Sequence, residues 1–149
     1  MEVIITNRKA RHNFEVLHTY SAGIKLLGEE VKALKGGHGN LTGSYVSEKQ
    51  KELFILGFNI SKYSKSSNPN YNPKRPRKLL LNRKEISEIK AELHNKGRTV
   101  VPLKVYLHKN LFKVDIAVVK GMGGREKKAS LKEKQIERDT QRELKESGY

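Results

Sequence analysis

The chain has 149 residues with 31 Lys and Arg against 16 Asp and Glu, a net charge of +15. A balance this basic calls for a polyanionic partner, so RNA, DNA and anionic lipid are the candidate classes. No apolar run reaches the roughly 18 residues that a spanning helix needs, and Val3-Ile4-Ile5 is too short for a signal-peptide core, so a cytoplasmic protein without a membrane role is predicted. With no Cys, neither a disulfide framework nor a thiolate zinc site is available.

In chain order, Phe14, Val16, Tyr20, Ala22, Ile24 and Leu26 share one register, with His18 as its polar member. Period two over this length predicts a long half-buried strand, bent near Ala22-Gly23. A short helix follows from Glu29 to Lys35, with Val31 and Leu34 inward and Gly36-Gly37 as its stop. Tyr45-Val46 and Leu53–Ile60 read as a hairpin joined across Ser47–Glu52, the second strand being apolar on both faces as a central strand is. Ser, Asn and Pro dominate Ser61–Pro73, a long surface loop that runs into the basic segment from Lys74 to Lys78. Asn82 with Glu85 three residues on forms a capping box for a helix that buries Ile86, Ile89 and Leu93, with Gly97 closing it. A second hairpin turns at Lys109-Asn110, between Leu103, Val105 and Leu107 on one side and Phe112, Val114, Ile116 and Val118 on the other.

Five or six strands with two helices inserted predict a mainly β fold, a partly open β-barrel of the oligonucleotide-binding type. The expected division is a barrel over residues 1–120 and a tail over 121–149. The barrel carries 23 Lys and Arg against 10 acids, or +13, and the tail 8 against 6, or +2. Gly121-Met122-Gly123-Gly124 reads as a hinge. Beyond it the composition favours helix, but Ala129, Leu131, Ile136 and Leu144 line no common face. Most i,i+4 charges repel, as in Lys128/Lys132, Glu133/Glu137, Lys134/Arg138 and Asp139/Glu143, whereas Arg142/Glu146 attract. Such a tail is expected to be disordered when free and helical on a partner.

Candidate chemistry is that of binding. The five His show no metal spacing, Asp occurs only at 115 and 139, and Gly36-Gly37-His38-Gly39 lacks the Lys-Ser/Thr of a phosphate loop. No catalytic set, metal or cofactor is predicted. Arg8, Lys9 and Arg11 form one basic cluster and Lys74, Arg75, Arg77 and Lys78 another, each suited to phosphates or to a solvated face. Tyr63 and Tyr71, in the loop, are candidates to stack on bases. Tyr20 and Tyr45 fall at strand positions where burial competes with that role.

Several segments resemble a known family when taken together and in order. They are Asn7 through Asn13, Ala22-Gly23-Ile24 through Gly28-Glu29-Glu30-Val31-Lys32-Ala33-Leu34-Lys35-Gly36, Asn40-Leu41 through Ser44-Tyr45-Val46, and Arg75-Pro76-Arg77-Lys78 through Asn82. In that order they resemble the small protein B family, partners of transfer-messenger RNA in bacterial trans-translation. The resemblance implies binding to the tRNA-like domain of that RNA and delivery, with elongation factor Tu and GTP, to ribosomes stalled without a usable codon. The tail would enter the empty messenger channel beside the small-subunit decoding centre. It implies RNA-binding roles for the two basic clusters with His12, and for Tyr20, Glu30, Lys32, Lys35, Asn40, Tyr45 and Asn82. For Glu30 the implied bond goes to a base edge or to an RNA-holding side chain, while the residue-level reading is an acid favoured by the helix dipole. Asn82 has a capping role as well.

In the tail, Arg125, Glu126, Lys127, Lys128, Lys132, Lys134 and Arg138 are the implied ribosome contacts. Here the chain departs from the family. Gly121-Met122-Gly123 stands where relatives have Gly-Lys-Lys, and Arg125 stands where they have a stacking His or Tyr. The free protein is expected to be a monomer. The rival readings are a general ribosome- or single-strand-RNA-binding barrel and, third, an RNA-modifying enzyme.

Overall fold

The computed structural model describes residues 2–121. The tail predictions therefore fall outside the described residues, except that Gly121, expected in a hinge, closes the last strand. The elements are β1 (Glu2–Thr6), α1 (Arg8–Asn13), β2 (Phe14–Ile24), α2 (Gly28–Lys35), β3 (Gly39–Asn40), β4 (Tyr45–Lys49), β5 (Glu52–Leu56), β6 (Asn59–Ile60), β7 (Arg77–Leu80), α3 (Arg83–Leu93), β8 (Arg98–His108) and β9 (Leu111–Gly121). Seven strands make one antiparallel sheet in the order β1-β8-β9-β2-β7-β5-β4, with β3 and β6 a separate pair. The sheet curls until β4 meets β8, which gives the mainly β barrel predicted from the sequence.

Both predicted hairpins form, but in the first the turn is shorter than Ser47–Glu52 and the second strand ends at Leu56, because Asn59–Ile60 pairs with β3 instead. Gln50 and Lys51 join β4 to β5 with φ of 54° and 64°, and Lys109 and Asn110 join β8 to β9 with φ of 50° and 64°. Positive φ at both central residues is the primed turn whose twist matches antiparallel strands. The core gathers Ile24, Leu34, Leu53, Ile55, Phe58, Leu79, Val105, Val114, Ile116 and Val118, in a layer roofed by α2 and α3. A smaller cluster of Ala10, Val101, Leu103, Ala117 and Val119, with Phe14 against it, lies under α1 on the opposite face of β8 and β9. Pro102 sits where the β8–β9 register shifts, a place that a residue without an N–H tolerates.

The long strand β2 departs from the half-buried pattern. Val16, Leu17, His18 and Thr19 are exposed, and the register with β9 shifts between Val16 and His18, while Gly23 is the residue that pairs with β9 on one side and β7 on the other. On its other side β2 meets β7 only through Gly23 and Ile24. The stretch from Phe14 to Ala22 therefore overhangs the barrel along that edge, and no strand among the described residues covers it.

The helix α3 starts as expected. Asn82 Oδ1 accepts from the Glu85 N–H at 2.8 Å, and the Asn82 N–H donates to Glu85 Oε1 at 3.3 Å. Ile89 is fully buried, with Ile86 and Leu93 packed beside it. Asn82→Ala removes the cap and is expected to cost about 1 kcal/mol, read as a lower urea midpoint at unchanged m-value.

Candidate nucleic-acid interface

The two basic clusters lie at opposite ends of β2. Arg8, Lys9, Arg11 and His12 lie on α1, just before β2 begins, and Asn7 sets that helix. Asn7 is only 4% exposed, and it accepts from the Ala10 N–H at 3.3 Å while its amide donates to the Pro102 carbonyl at 2.9 Å. The second cluster lies where β2 ends, since Arg77–Leu80 forms β7 against Gly23 and Ile24.

The second cluster is not uniformly available. Lys74 is exposed, Lys78 pairs with Glu52 at 2.8 Å, and Arg75 is one-third exposed. Arg77 overturns the expectation of a surface cation, because its side chain is 0% exposed. In β7, Arg77 and Leu79 alternate inward while Lys78 and Leu80 turn outward. Phosphate contact is closed to Arg77. Its Nε donates to Glu30 Oε2 at 2.7 Å, and its Nη atoms donate to the carbonyls of Phe58 at 2.5 Å and Pro73 at 3.0 Å. The guanidinium also lies 5.4 Å from the centre of the Phe58 ring, a cation–π distance.

Glu30 is the partner that makes this burial tolerable. It lies in the first turn of α2 at 1% exposure, so a base edge cannot reach it. Arg75 Nη2 donates to Glu30 Oε1 at 2.5 Å, so the acid bonds a second basic side chain within the protein. The same oxygen accepts from the Leu27 N–H at 2.8 Å, so the helix-terminus role is present as well. Burial by itself pushes this carboxyl upward and is the largest single influence. The hydrogen bonds from Arg75, Leu27 and Arg77, with the Arg77 charge, outweigh it together and hold the group below 4.5. A lone buried carboxylate costs several kcal/mol or takes up a proton, and pairing with two guanidinium groups avoids both.

The loop between β6 and β7 is tied to the same centre. The Tyr71 hydroxyl donates to the Ile60 carbonyl at 2.8 Å, lies 3.2 Å from Glu30 Oε2 and accepts from Arg77 Nη2 at 3.1 Å. Burial and the Glu30 charge push this phenol upward. Ser66 donates to Glu29, and Lys32 Nζ lies 5.5 Å from the centre of the Tyr63 ring. Both loop tyrosines expected to stack on bases are thus half-buried and engaged within the protein.

The remaining candidates divide. Lys32 and Lys35 are both exposed on α2, while Asn40 in β3 accepts from the Thr42 N–H at 2.8 Å. Tyr45, placed by the sequence at a core-facing position, is 47% exposed. Neighbours on a strand face opposite ways, and Val46 takes the inward place. Tyr20 is half-buried and donates to Glu88 Oε2 on α3 at 2.9 Å. Burial and then Glu88 push its phenol up to about 12, so it stays protonated to donate. Asn82 keeps the capping role already described. Sequence reasoning missed Tyr71 as a member of the Glu30 centre and Asn7 as a cap. Asn7 carried a signal, an Asn at the start of a helix, while Tyr71 carried none, because Glu30 is 41 residues away from it. Among the described residues there is no His, Asp and Glu grouping able to hold a metal ion, and no helix long and apolar enough to cross a membrane.

Fold and site together define a small basic barrel of the class that grips polyanions by shape and charge. A family model described as SmpB protein matches residues 4–146. The chain belongs to the SmpB protein family. It is 46% identical over 149 residues to the SsrA-binding protein of a Nitratiruptor species, covering 98% of this chain and 99% of that one. It is 42% identical over 145 residues to the SsrA-binding protein of Ehrlichia canis, covering 97% and 98%. A solved structure described as "tmRNA-SmpB: a journey to the center of the bacterial ribosome" is similar with a TM-score of 0.69 and 39% identity, over 83% of this chain and 87% of that one.

Proposed function

We propose that this protein is an RNA-binding adaptor of trans-translation, which holds the tRNA-like domain of transfer-messenger RNA (SsrA RNA) and brings it to stalled ribosomes. The observation that carries the reading is the family match across residues 4–146, joined by likeness in fold to a structure that pairs the family with this RNA and the ribosome. The charge distribution supports it, since the +13 on residues 1–120 suits a folded RNA gripped by its phosphates. Arg8, Lys9, Arg11, Lys32, Lys35, Lys74 and the partly exposed Arg75 are the cations proposed to face RNA. The protein then acts without chemistry of its own, in the cytoplasm where ribosomes translate. The bound RNA recruits elongation factor Tu with GTP, and residues 121–149 carry the engagement of the messenger channel and decoding centre.

Sequencing the RNA that copurifies with the protein from its host tests this directly. One dominant tRNA-like RNA is the expected result. A spread of messages and ribosomal fragments would instead identify a general ribosome- or single-strand-RNA-binding barrel.

A further inference from the structure

We propose that Glu30, Arg77 and Tyr71 are positioning residues which never touch RNA, and that they act on it by clamping the loop between β6 and β7 onto α2 and aiming Arg75 outward. The inference rests on the RNA-binding reading above and deepens it by assigning which cation in the Lys74–Lys78 segment does the gripping, and why.

The loop leaves β6 after Ile60 and returns at Arg77, and three ties fix that return. The Ile60 N–H donates to the Pro73 carbonyl at 2.9 Å, the Tyr71 hydroxyl donates to the Ile60 carbonyl, and Arg77 Nη2 donates to the Pro73 carbonyl. All three meet the Glu30–Arg77 pair, whose side chains are both 0% exposed. A wholly buried pair has neither solvent nor salt to weaken it, so it is a rigid reference for the residues bonded to it. Of the two guanidinium groups on Glu30, Arg75 is the one that also reaches the surface.

The state of the Arg75 guanidinium shows where its remaining capacity lies. Nη2 is held by Glu30, Nη1 reaches only the carbonyl of the next residue, Pro76, at 3.4 Å, and Nε is buried without an acceptor. A guanidinium carries five donors in a fixed fork that matches phosphate oxygens. Here Nη2 is fastened to an interior carboxylate and Nε is closed off by burial, so Nη1, with only the long bond to Pro76, is the donor that still lacks a good acceptor. A phosphate oxygen supplies that acceptor, and Lys74, exposed in the adjoining turn, adds a second positive charge. A surface arginine free to rotate would lose side-chain entropy on binding. Arg75 has already lost most of it to Glu30, so the contact is pre-organised.

The test uses the full chain and a transcript of the tRNA-like domain of the host's transfer-messenger RNA, with affinity measured across a KCl series. Steep salt dependence for the unmodified protein is the control, and failure to bind there would count against the functional reading, not against the clamp. Tyr71→Phe keeps the ring and removes only the hydroxyl. It is expected to speed amide exchange across residues 61–76, to leave exchange in β8 and β9 unchanged, and to weaken binding about threefold to tenfold, the equivalent of one neutral hydrogen bond. Its salt slope stays that of the unmodified protein, because no phosphate contact is removed. Arg75→Ala is expected to weaken binding and make the slope shallower by about 0.9, one phosphate contact. Arg75→Lys restores the slope without restoring the affinity, because an ammonium cannot hold Glu30 and a phosphate with one fork. The proposal is overturned if Tyr71→Phe loosens the loop at unchanged affinity, if it leaves the loop as protected as before, or if Arg75→Ala leaves the slope unchanged.

Discussion

Removing residues 122–149 is expected to leave affinity for the isolated tRNA-like RNA within about twofold while abolishing peptide tagging on stalled ribosomes. The electrostatic share of RNA binding follows the number of phosphates neutralised. The chain through residue 120 holds 23 Lys and Arg against 10 acids, whereas the tail holds 8 against 6. The tail's net charge is only +2, so truncation is expected to cost the RNA little. The residues proposed to engage the ribosome, Arg125, Glu126, Lys127, Lys128, Lys132, Lys134 and Arg138, are all removed by truncation. Gel-shift affinity and tagging in a reconstituted translation system, measured on the same preparation, check both halves. A tenfold loss of affinity would refute the division of labour.

Arg77→Ala is expected to destabilise the fold by about 3–5 kcal/mol, the cost of leaving a buried charge without its partner. For a domain of this size that lowers the thermal midpoint by on the order of 10 °C or more. The double variant Glu30→Leu/Arg77→Met leaves neither charge alone and is expected to lose less than Arg77→Ala by itself. Equal losses in the two proteins would show that the pair contributes through packing rather than charge. Acid adds a second check. The folded-state value of Glu30 is held below 4.5, so its contribution is full above that unfolded value and fades as pH falls through the folded one. The unmodified protein should lose stability progressively below pH 4.5, and the double variant should lose less over the same range.

Much of the barrel was legible because its hairpins carry local signals. Alternation from Leu103 to Val118 around Lys109-Asn110 specifies two strands and their turn without outside help, and the Asn82–Glu85 box specifies a helix start. The strands β1 and β7 were not legible, because five and four residues show too little periodicity and each is defined by the neighbour it pairs with. Tyr45 was readable in principle, since Tyr45 and Val46 cannot both face the core. The exposed half of β2 was not, because its apolar residues promise a covering layer that the short β7 does not supply. At the site the same divide holds. Basic clusters are visible in any sequence, but nothing in Lys74-Arg75-Pro76-Arg77-Lys78 says that one of its arginines is buried. That follows only from a carboxylate 47 residues away.

The overhanging strand has a consequence for the molecule's proportions. From Phe14 to Ile24 there are ten residue steps along β2, or ~33 Å at ~3.3 Å per step. Phe14 faces Gly121, where the chain departs for its last segment, and Ile24 faces Leu79, beside the buried pair. The strand therefore sets the distance between the Lys74–Lys78 segment at one end and, at the other, both the cluster on α1 and the residue at which β9 ends. From His18 to Gly23 the pairing with β9 is regular, and a slip by one residue there would turn buried Ala22 outward. A protein that carries its two basic clusters this far apart has their spacing built into a single strand.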